Sequence, residues 1–303
     1  MMKPWYSAVL ALLLAASPAL AESFEEAVAL YSDKDFKAAF QVAKPLAEKG
    51  DVRAMAMIGT LYQNGQGVKR DLKEAVKWLT SAAEKDNAGA QFALAVHYLD
   101  EDGGKPNLKE AEKWMERAAN NGSVPAQHNM GLLAAGAGSG SPDWLRARAW
   151  FEKAANQGFA EAQYNLAVLY AEGRGVEKNP VTAGEYFLKA AMQGMPDAAL
   201  EYGVMVFRGD GVEKNEEIGA QWLLVSAQRG NVIAQNRVAR VLAAGRGLKP
   251  DPIEAAKWHV LAKRGGRDDP WLEEFISRMN EADRSEAQKR ADAWTTLHAA
   301  DSG

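Results

Sequence analysis

The stretch FAEAQYNLAVLYAEGRGVEKNPVTAGEYFLKAAMQG, residues 159–194, decides the fold. Its 36-residue frame recurs six times without an insertion, at 51–86, 87–122, 123–158, 159–194, 195–230 and 231–266. A fixed period of this size is the signature of stacked supersecondary units. In the fourth column every copy has alanine: Ala54, Ala90, Ala126, Ala162, Ala198 and Ala234. The eighth is apolar throughout, from Ile58 to Val238, and the ninth is always Gly or Ala. The twelfth reads Tyr62, Tyr98, Ala134, Tyr170, Val206 and Leu242. Columns 4, 8, 9 and 12 fall on one face of a helix, and their small residues allow a neighbouring helix to approach closely. The second half of the frame repeats that spacing with Ala75, Trp78, Leu79 and Ala82, or Ala255, Trp258 and Ala262. Each copy therefore reads as a helical hairpin.

The punctuation between the helices has a mechanism. Gly65 and Gly67, Gly173 and Gly175, Gly209 and Gly211, and Gly245 and Gly247 supply positive-φ backbone where the first helix ends, and Val68, Val176, Val212 or Leu248 follows. Three residues later stands a helix N-cap: Asp71, Asn107, Asp143, Asn179, Asn215 or Asp251. In Asp251-Pro252-Ile253-Glu254 the cap, a proline at the first helical position and a glutamate in reciprocal reach come together. Five copies close on glycine (Gly122, Gly158, Gly194, Gly230, Gly266), and Asp86 takes that place in the first.

This frame, A-x-x-x-L-A-x-x-Y-x-x-G-x-G-V-x-x-D/N-x-x-x-A-x-x-W-x-x-x-A-A-x-x-G, resembles the Sel-one-like repeat (SLR) family, a branch of the tetratricopeptide-type solenoids. The resemblance covers residues 51–266. It implies an all-α fold, a right-handed superhelical α-solenoid of helical hairpins whose first helices line a concave face, and a role in assembling other proteins. It also implies that columns 3, 6, 10, 13 and 14 look inward. Column 6 reads Ala56, Phe92, His128, Tyr164, Leu200, Asn236; column 10 reads Thr60, Val96, Leu132, Val168, Val204, Arg240; column 13 reads Gln63, Leu99, Ala135, Ala171, Phe207, Ala243. The middle copies are mostly apolar and aromatic and the ends turn polar, the look of a binding patch. Phe92, Val96, Leu99, His128, Leu132, Tyr164, Val168, Leu200, Val204 and Phe207 are thus the candidate partner-binding residues, with Phe92, His128, Tyr164 and Phe207 as anchors. The competing reading is that superhelical curvature buries these side chains between adjacent first helices.

Ahead of the repeats, residues 1–21 carry Lys3, an apolar run from Trp5 to Ala16, Pro18 and Ala19-Leu20-Ala21. This is the layout of a cleavable secretory signal; an uncleaved anchor is the alternative, for which the run is short of the roughly 20 residues of a membrane span. A mature chain from Glu22 and a periplasmic location are expected. Residues 22–50 form a shorter hairpin, with Ser23 and Glu26 as a capping box, a turn at Ser32–Asp35 and a second helix from Phe36 to Lys49. Two helices in 267–303, one starting at Asp269-Pro270 and one at Ser285-Glu286, close the other end. These terminal hairpins read as caps, which a stack needs to cover its apolar edges.

Without residues 1–21 the chain loses one lysine and no acid, leaving 35 basic against 40 acidic side chains. Phosphate binding wants a clustered positive surface, and no basic stripe stands out, so nucleic acid is not the expected partner. The absence of cysteine excludes disulfides and a lipid-bearing N-terminal cysteine. His97, His128, His259 and His298 fall in different columns, no HExxH, GxSxG or SxxK string occurs, and paired carboxylates such as Glu25/Glu26 or Glu216/Glu217 sit at helix starts. No enzyme activity, cofactor or metal is expected; some cysteine-rich relatives of this repeat class are linked to penicillin binding or hydrolysis, and their cysteines are missing here. The loop Asp100-Glu101-Asp102-Gly103-Gly104-Lys105-Pro106 lacks the ligand series of a calcium loop. Ala134 to Ser141 replaces the usual loop of the third copy, read either as a flex point or widened loop, or as tolerated variation. Trp78, Trp114, Trp150, Trp222 and Trp258, with Tyr186 in the remaining place, form an aromatic column at core spacing. The reading is a periplasmic scaffold that binds a protein or peptide through its groove; the alternative is a carbohydrate or peptidoglycan binder, with or without weak hydrolase activity, which exposed tryptophans near carboxylates would favour.

Overall fold

A computed structural model describes residues 23–100, 105–137 and 141–300. The leader read at residues 1–21 lies outside them, as do the middle of the acidic loop and the centre of the glycine-rich loop. Among the described residues there are sixteen α-helices and no strand. The N-terminal hairpin is α1 (Phe24–Ser32) and α2 (Phe36–Glu48). The first helices of the six repeats are α3 (Val52–Asn64), α5 (Ala88–Leu99), α7 (Val124–Ala134), α9 (Ala160–Glu172), α11 (Pro196–Arg208) and α13 (Val232–Ala244). Their partners are α4 (Leu72–Ala83), α6 (Leu108–Asn120), α8 (Trp144–Asn156), α10 (Pro180–Met192), α12 (Glu216–Gln228) and α14 (Pro252–Arg264). At the C-terminal end stand α15 (Pro270–Ser277) and α16 (Glu281–Ala300). The last of these starts four residues before Ser285, because Asn280 caps it by accepting the Asp283 amide at 2.9 Å.

The chain divides into two compact units, Met1–Met130 and Gly131–Gly303. In the first, α1 to α5 each pack on the next, and α5 on α6. In the second, α8 to α14 pack in the same sequential way, and α14 holds α16. The recurring columns explain this. All six alanines of column 4 are fully buried, and the ninth column is held to Gly or Ala by the partner helix: a methyl on Gly131 would meet the Phe151 ring at 2.5 Å, and one on Gly203 the Leu223 amide at 3.0 Å.

Every predicted N-cap of the second helices forms. Asp71, Asn107, Asp143, Asn179, Asn215 and Asp251 each accept a first-turn amide. The reciprocal bond expected from Glu254 does not, because the Asp251 amide already donates to the Leu242 carbonyl at 3.4 Å. The Glu254 carboxylate pairs instead with Lys257 and, at 3.6 Å, with Arg290. That backbone bond is general. The amide of each cap donates to the carbonyl nine residues earlier, in column 12: Asp71 to Tyr62, Asn107 to Tyr98, Asp143 to Ala134, Asn179 to Tyr170 and Asn215 to Val206, at 2.8–3.1 Å. The second and third copies, whose loops lack one or both of these glycines, keep it, so it fixes the hairpin whatever the loop composition.

The second loop glycine joins one repeat to the one before. Gly211, at φ +71°, lies against the first residue of α10, and a Cβ there would meet the Pro180 backbone at 2.5 Å. Gly67, Gly175 and Gly247 press likewise on the first residues of α2, α8 and α12. Asp86 does at φ +60° what glycine does in the other copies. Its carboxylate accepts from Arg117 at 3.0 Å, Asn121 at 3.2 Å and Gln91 at 3.3 Å, and these charged and polar donors hold its carboxyl below the usual aspartate range.

A further column holds the stack. Gln91, Gln127, Gln163 and Gln235, all in column 5, are buried. Each side-chain amide donates to the carbonyl eight residues earlier, at the end of the preceding second helix: Ala83, Ala119, Ala155 and Ala227, at 2.9–3.3 Å. Helix C-termini leave carbonyls without partners, and the glutamines satisfy one of them. Asn121 and Gln193 donate back to the oxygens of Gln91 and Gln163, at 2.9 and 2.8 Å. The fifth repeat has Ala199 in this column; there the buried Ser226 donates to the Pro196 carbonyl at 2.7 Å.

Candidate functional site

The residues left over by this framework are those of columns 6, 10 and 13. In the first unit, Phe92 and His128 are half-buried, while Val96 and Leu99 are 39% and 47% exposed. In the second unit, Leu132, Tyr164, Val168, Val204 and Phe207 are half-buried. Leu200 is 4% exposed and belongs to the core cluster of Ala220, Leu223 and Val238, so its side chain packs and offers no anchor. Tyr164 meets the Phe187 ring edge-on at 5.5 Å, and burial, with Glu201, Asp197 and Glu172 nearby, raises its phenol above the ordinary range. Phe207 lies under the Arg246 guanidinium, 5.0 Å from its ring centroid.

The polar C-terminal end of these columns has a structural job. Asn236 is buried and donates to Asp269 Oδ2 at 2.8 Å, and Arg240 grips the same carboxylate through Nε at 2.6 Å and Nη2 at 2.8 Å. Asp269 in turn caps α15. Arg240 and Asn236 hold its carboxyl well below the usual aspartate range. The polar residues that end these columns in the last repeat are therefore the clasp of α15.

Within the second unit, Val204 and Phe207 line a cleft of about 570 Å³. Leu223 and Val241 add apolar wall, Trp271 of α15 an aromatic one, and Arg208, Lys214, Arg237, Arg240 and Arg246 add five cations. Sequence reasoning missed this charge. Arg208 stands in column 14, one of the inward columns of the resemblance, whereas Arg237 stands in column 7, which runs Met57, Ala93, Asn129, Asn165, Glu201, Arg237. That drift from apolar to charged was the available signal for Arg237. Trp271 comes from outside the repeats, so no column could reveal it.

The tryptophan column is core. Trp114, Trp150 and Trp258 are buried and Trp78 and Trp222 half-buried. Lysines cover the rings, Lys113 over Trp114 at 5.2 Å, Lys153 over Trp150 at 4.0 Å and Lys257 over Trp258 at 4.1 Å. A second cleft, of about 740 Å³, runs past Trp258, Trp294, Asp251 and Glu254. Trp258 is 1% exposed there, Asp251 caps α14 and Glu254 pairs with Lys257, so the rings and acids serve the fold. His259 is buried against Glu273 at 3.0 Å. Among the described residues no group of three or more His, Asp or Glu is placed to hold a metal ion, and no helix is long and apolar enough to cross a membrane.

Stacked hairpins with recurring small columns beside variable columns 6, 10 and 13 define a helical-repeat solenoid. The Sel1 repeat model matches at residues 52–87, 88–123, 124–159, 160–195, 196–231 and 232–266. The chain belongs to the Sel1 repeat family, whose members are generally protein-interaction scaffolds. A Sel1 repeat protein from Oxalobacter formigenes is similar in structure, with 26% identity over 82% of this chain and 97% of that one, at a TM-score of 0.67. A protective antigen present in uropathogenic Escherichia coli strains, displaying an SLR fold, shares 22% identity over 85% of this chain and 64% of its own length, at a TM-score of 0.56. Comparison with curated proteins gives no match.

Proposed function

We propose that this protein is a non-enzymatic scaffold of the bacterial envelope, exported by residues 1–21, that binds a partner protein through the inner columns of its first helices. One observation carries the reading: the six column-4 alanines are fully buried, whereas Val96 and Leu99, on one of the same first helices, are substantially exposed. Side chains that vary between copies and stay accessible are free for recognition, and apolar ones repay burial by a partner. An extended or helical peptide is the natural occupant. The sugar-binding alternative has less support, because Trp258 is buried and the carboxylates beside the tryptophans are engaged: Glu74 accepts from the half-buried Trp78 and pairs with Lys77, and Glu254 pairs with Lys257.

Chemical crosslinking and capture from an envelope extract tests the reading. The mature chain is compared with Val96→Ser/Leu99→Ser/Val204→Ser on the inner columns and with Leu145→Ser/Val181→Ser on second helices, each confirmed as folded by circular dichroism. Loss of the captured protein only with the inner-column variant supports the groove. Equal capture by all three, or recovery of glycan fragments alone, would overturn it.

A further inference from the structure

The α11–α13 cleft carries a chemistry that the other inner positions lack, and the inference drawn from it rests on the groove reading above. Of its five cations, Lys214 and Arg246 share Glu216, at 3.3 and 2.5 Å, and Arg240 is held by Asp269. Arg208 and Arg237 stand in no ion pair among the described residues. Arg237 is half-buried, and its Nε is buried without a hydrogen-bond partner, so any acceptor entering the cleft would meet the rest of its guanidinium. Glu201 acts electrostatically on both Arg237 and Arg208 but lies beyond ion-pair distance of either, and burial raises its carboxyl above the usual range. The cleft thus keeps two guanidinium groups without an ion-pair partner beside Phe207 and Trp271, the latter 44% exposed.

We infer that this cleft binds an acidic segment of a partner protein, in which carboxylates meet Arg208 and Arg237 and an apolar side chain between them rests on Phe207 and Trp271. Guanidinium forks match carboxylates through paired hydrogen bonds. A polyphosphate is the less favoured occupant: the whole chain carries a net charge of −4, which opposes a long polyanion, while a short mixed segment needs only the local excess.

The test is fluorescence anisotropy with the full mature chain. The probes are a labelled, end-blocked decapeptide of glutamate pairs separated by single leucines, and its twin with glutamine for every glutamate. The glutamate peptide should bind at least about tenfold more tightly than its twin and weaken as salt is raised. Arg208→Gln/Arg237→Gln should lose about tenfold or more in affinity, while Lys77→Gln/Lys153→Gln, the same charge change elsewhere, should shift it less than about twofold. Arg237→Lys keeps the charge but not the fork, and should fall between, which covers the case in which the double variant does not fold. Equal binding of the two peptides, no saturable binding of either, equal loss in both double variants, or preference for an oligonucleotide of the same charge would overturn the proposal. Should envelope capture depend on Val96, Leu99 and Val204 but not on Arg208 and Arg237, the groove reading would stand and the acidic-segment proposal would fall.

Discussion

Asp269 is the residue on which the C-terminal end turns. It is buried, caps α15, and takes charged and neutral donors from Arg240 and Asn236 of the last repeat. Replacing it with alanine removes the cap and leaves both donors without their acceptor; because Arg240 is half exposed and regains water, the loss should be about 2–3 kcal/mol in urea unfolding. The same pairing sets a pH dependence. An unfolded aspartate titrates near 3.8, and in the folded state the carboxyl sits well below that value. The contribution is therefore full above about pH 4–5 and is lost as the pH falls below 3.8 towards the native value. Asp269→Asn should flatten the acid limb of the stability curve between about pH 4 and pH 2 without changing its slope near neutrality. Gln163 illustrates the buried glutamines. Alanine there strands the Ala155 carbonyl, while the exposed Gln193 amide regains water, at an expected cost of about 1–3 kcal/mol, again readable from urea midpoints.

Among the elements, the hairpin loop separates two reasons for glycine. Gly211 needs its positive φ and also lacks room, since a methyl would strike the Pro180 backbone; Gly230 needs the φ alone, with open space around it. Gly230→Ala should cost about 1 kcal/mol and Gly211→Ala clearly more than 2 kcal/mol, a difference that thermal melts of the two variants will resolve. Asp86→Gly and Asp86→Ala divide the contributions at that site: glycine keeps the backbone and loses the carboxylate bonds, alanine loses both, so alanine should melt lower. The hairpins were legible because periodicity and caps are local. The Asx caps and the positive-φ glycines that end the first helices act within one turn of themselves, and columns 4, 8 and 9 show as one face of a single helix, whereas the contact of the second loop glycine with the preceding repeat was not legible. The glutamine column was in plain view in the repeat, yet its bond runs from one repeat to the preceding one, so its purpose appears only with the stack. The fates of Leu200 and Asn236 were hidden for the same reason. Both stand in column 6, and whether that column faces a partner, the core or a terminal helix depends on what packs against it.

At the level of the whole chain, the repeat frame divides labour by column: alanines, glycines, capping residues and tryptophans hold the hairpins together, while a few first-helix positions remain free to differ. Trp258→Ala should then cost about 3–5 kcal/mol of stability in unfolding experiments, and at a temperature where the variant stays folded it should not change partner binding. The basic, aromatic cleft of the second unit was only partly within reach of the columns: Val204, Phe207, Arg208 and Arg240 stand in them, whereas Lys214 and Arg246 come from two loops and Trp271 from a helix outside the repeats. The measurement that addresses the division most directly is photo-crosslinking in living cells, with a benzophenone amino acid placed in turn at Val204, on an inner column, and at Leu145 and Val181, exposed on second helices. A discrete crosslinked partner is expected from position 204 and none from 145 or 181; the same adduct from the second-helix positions, with none from 204, would refute this division of labour.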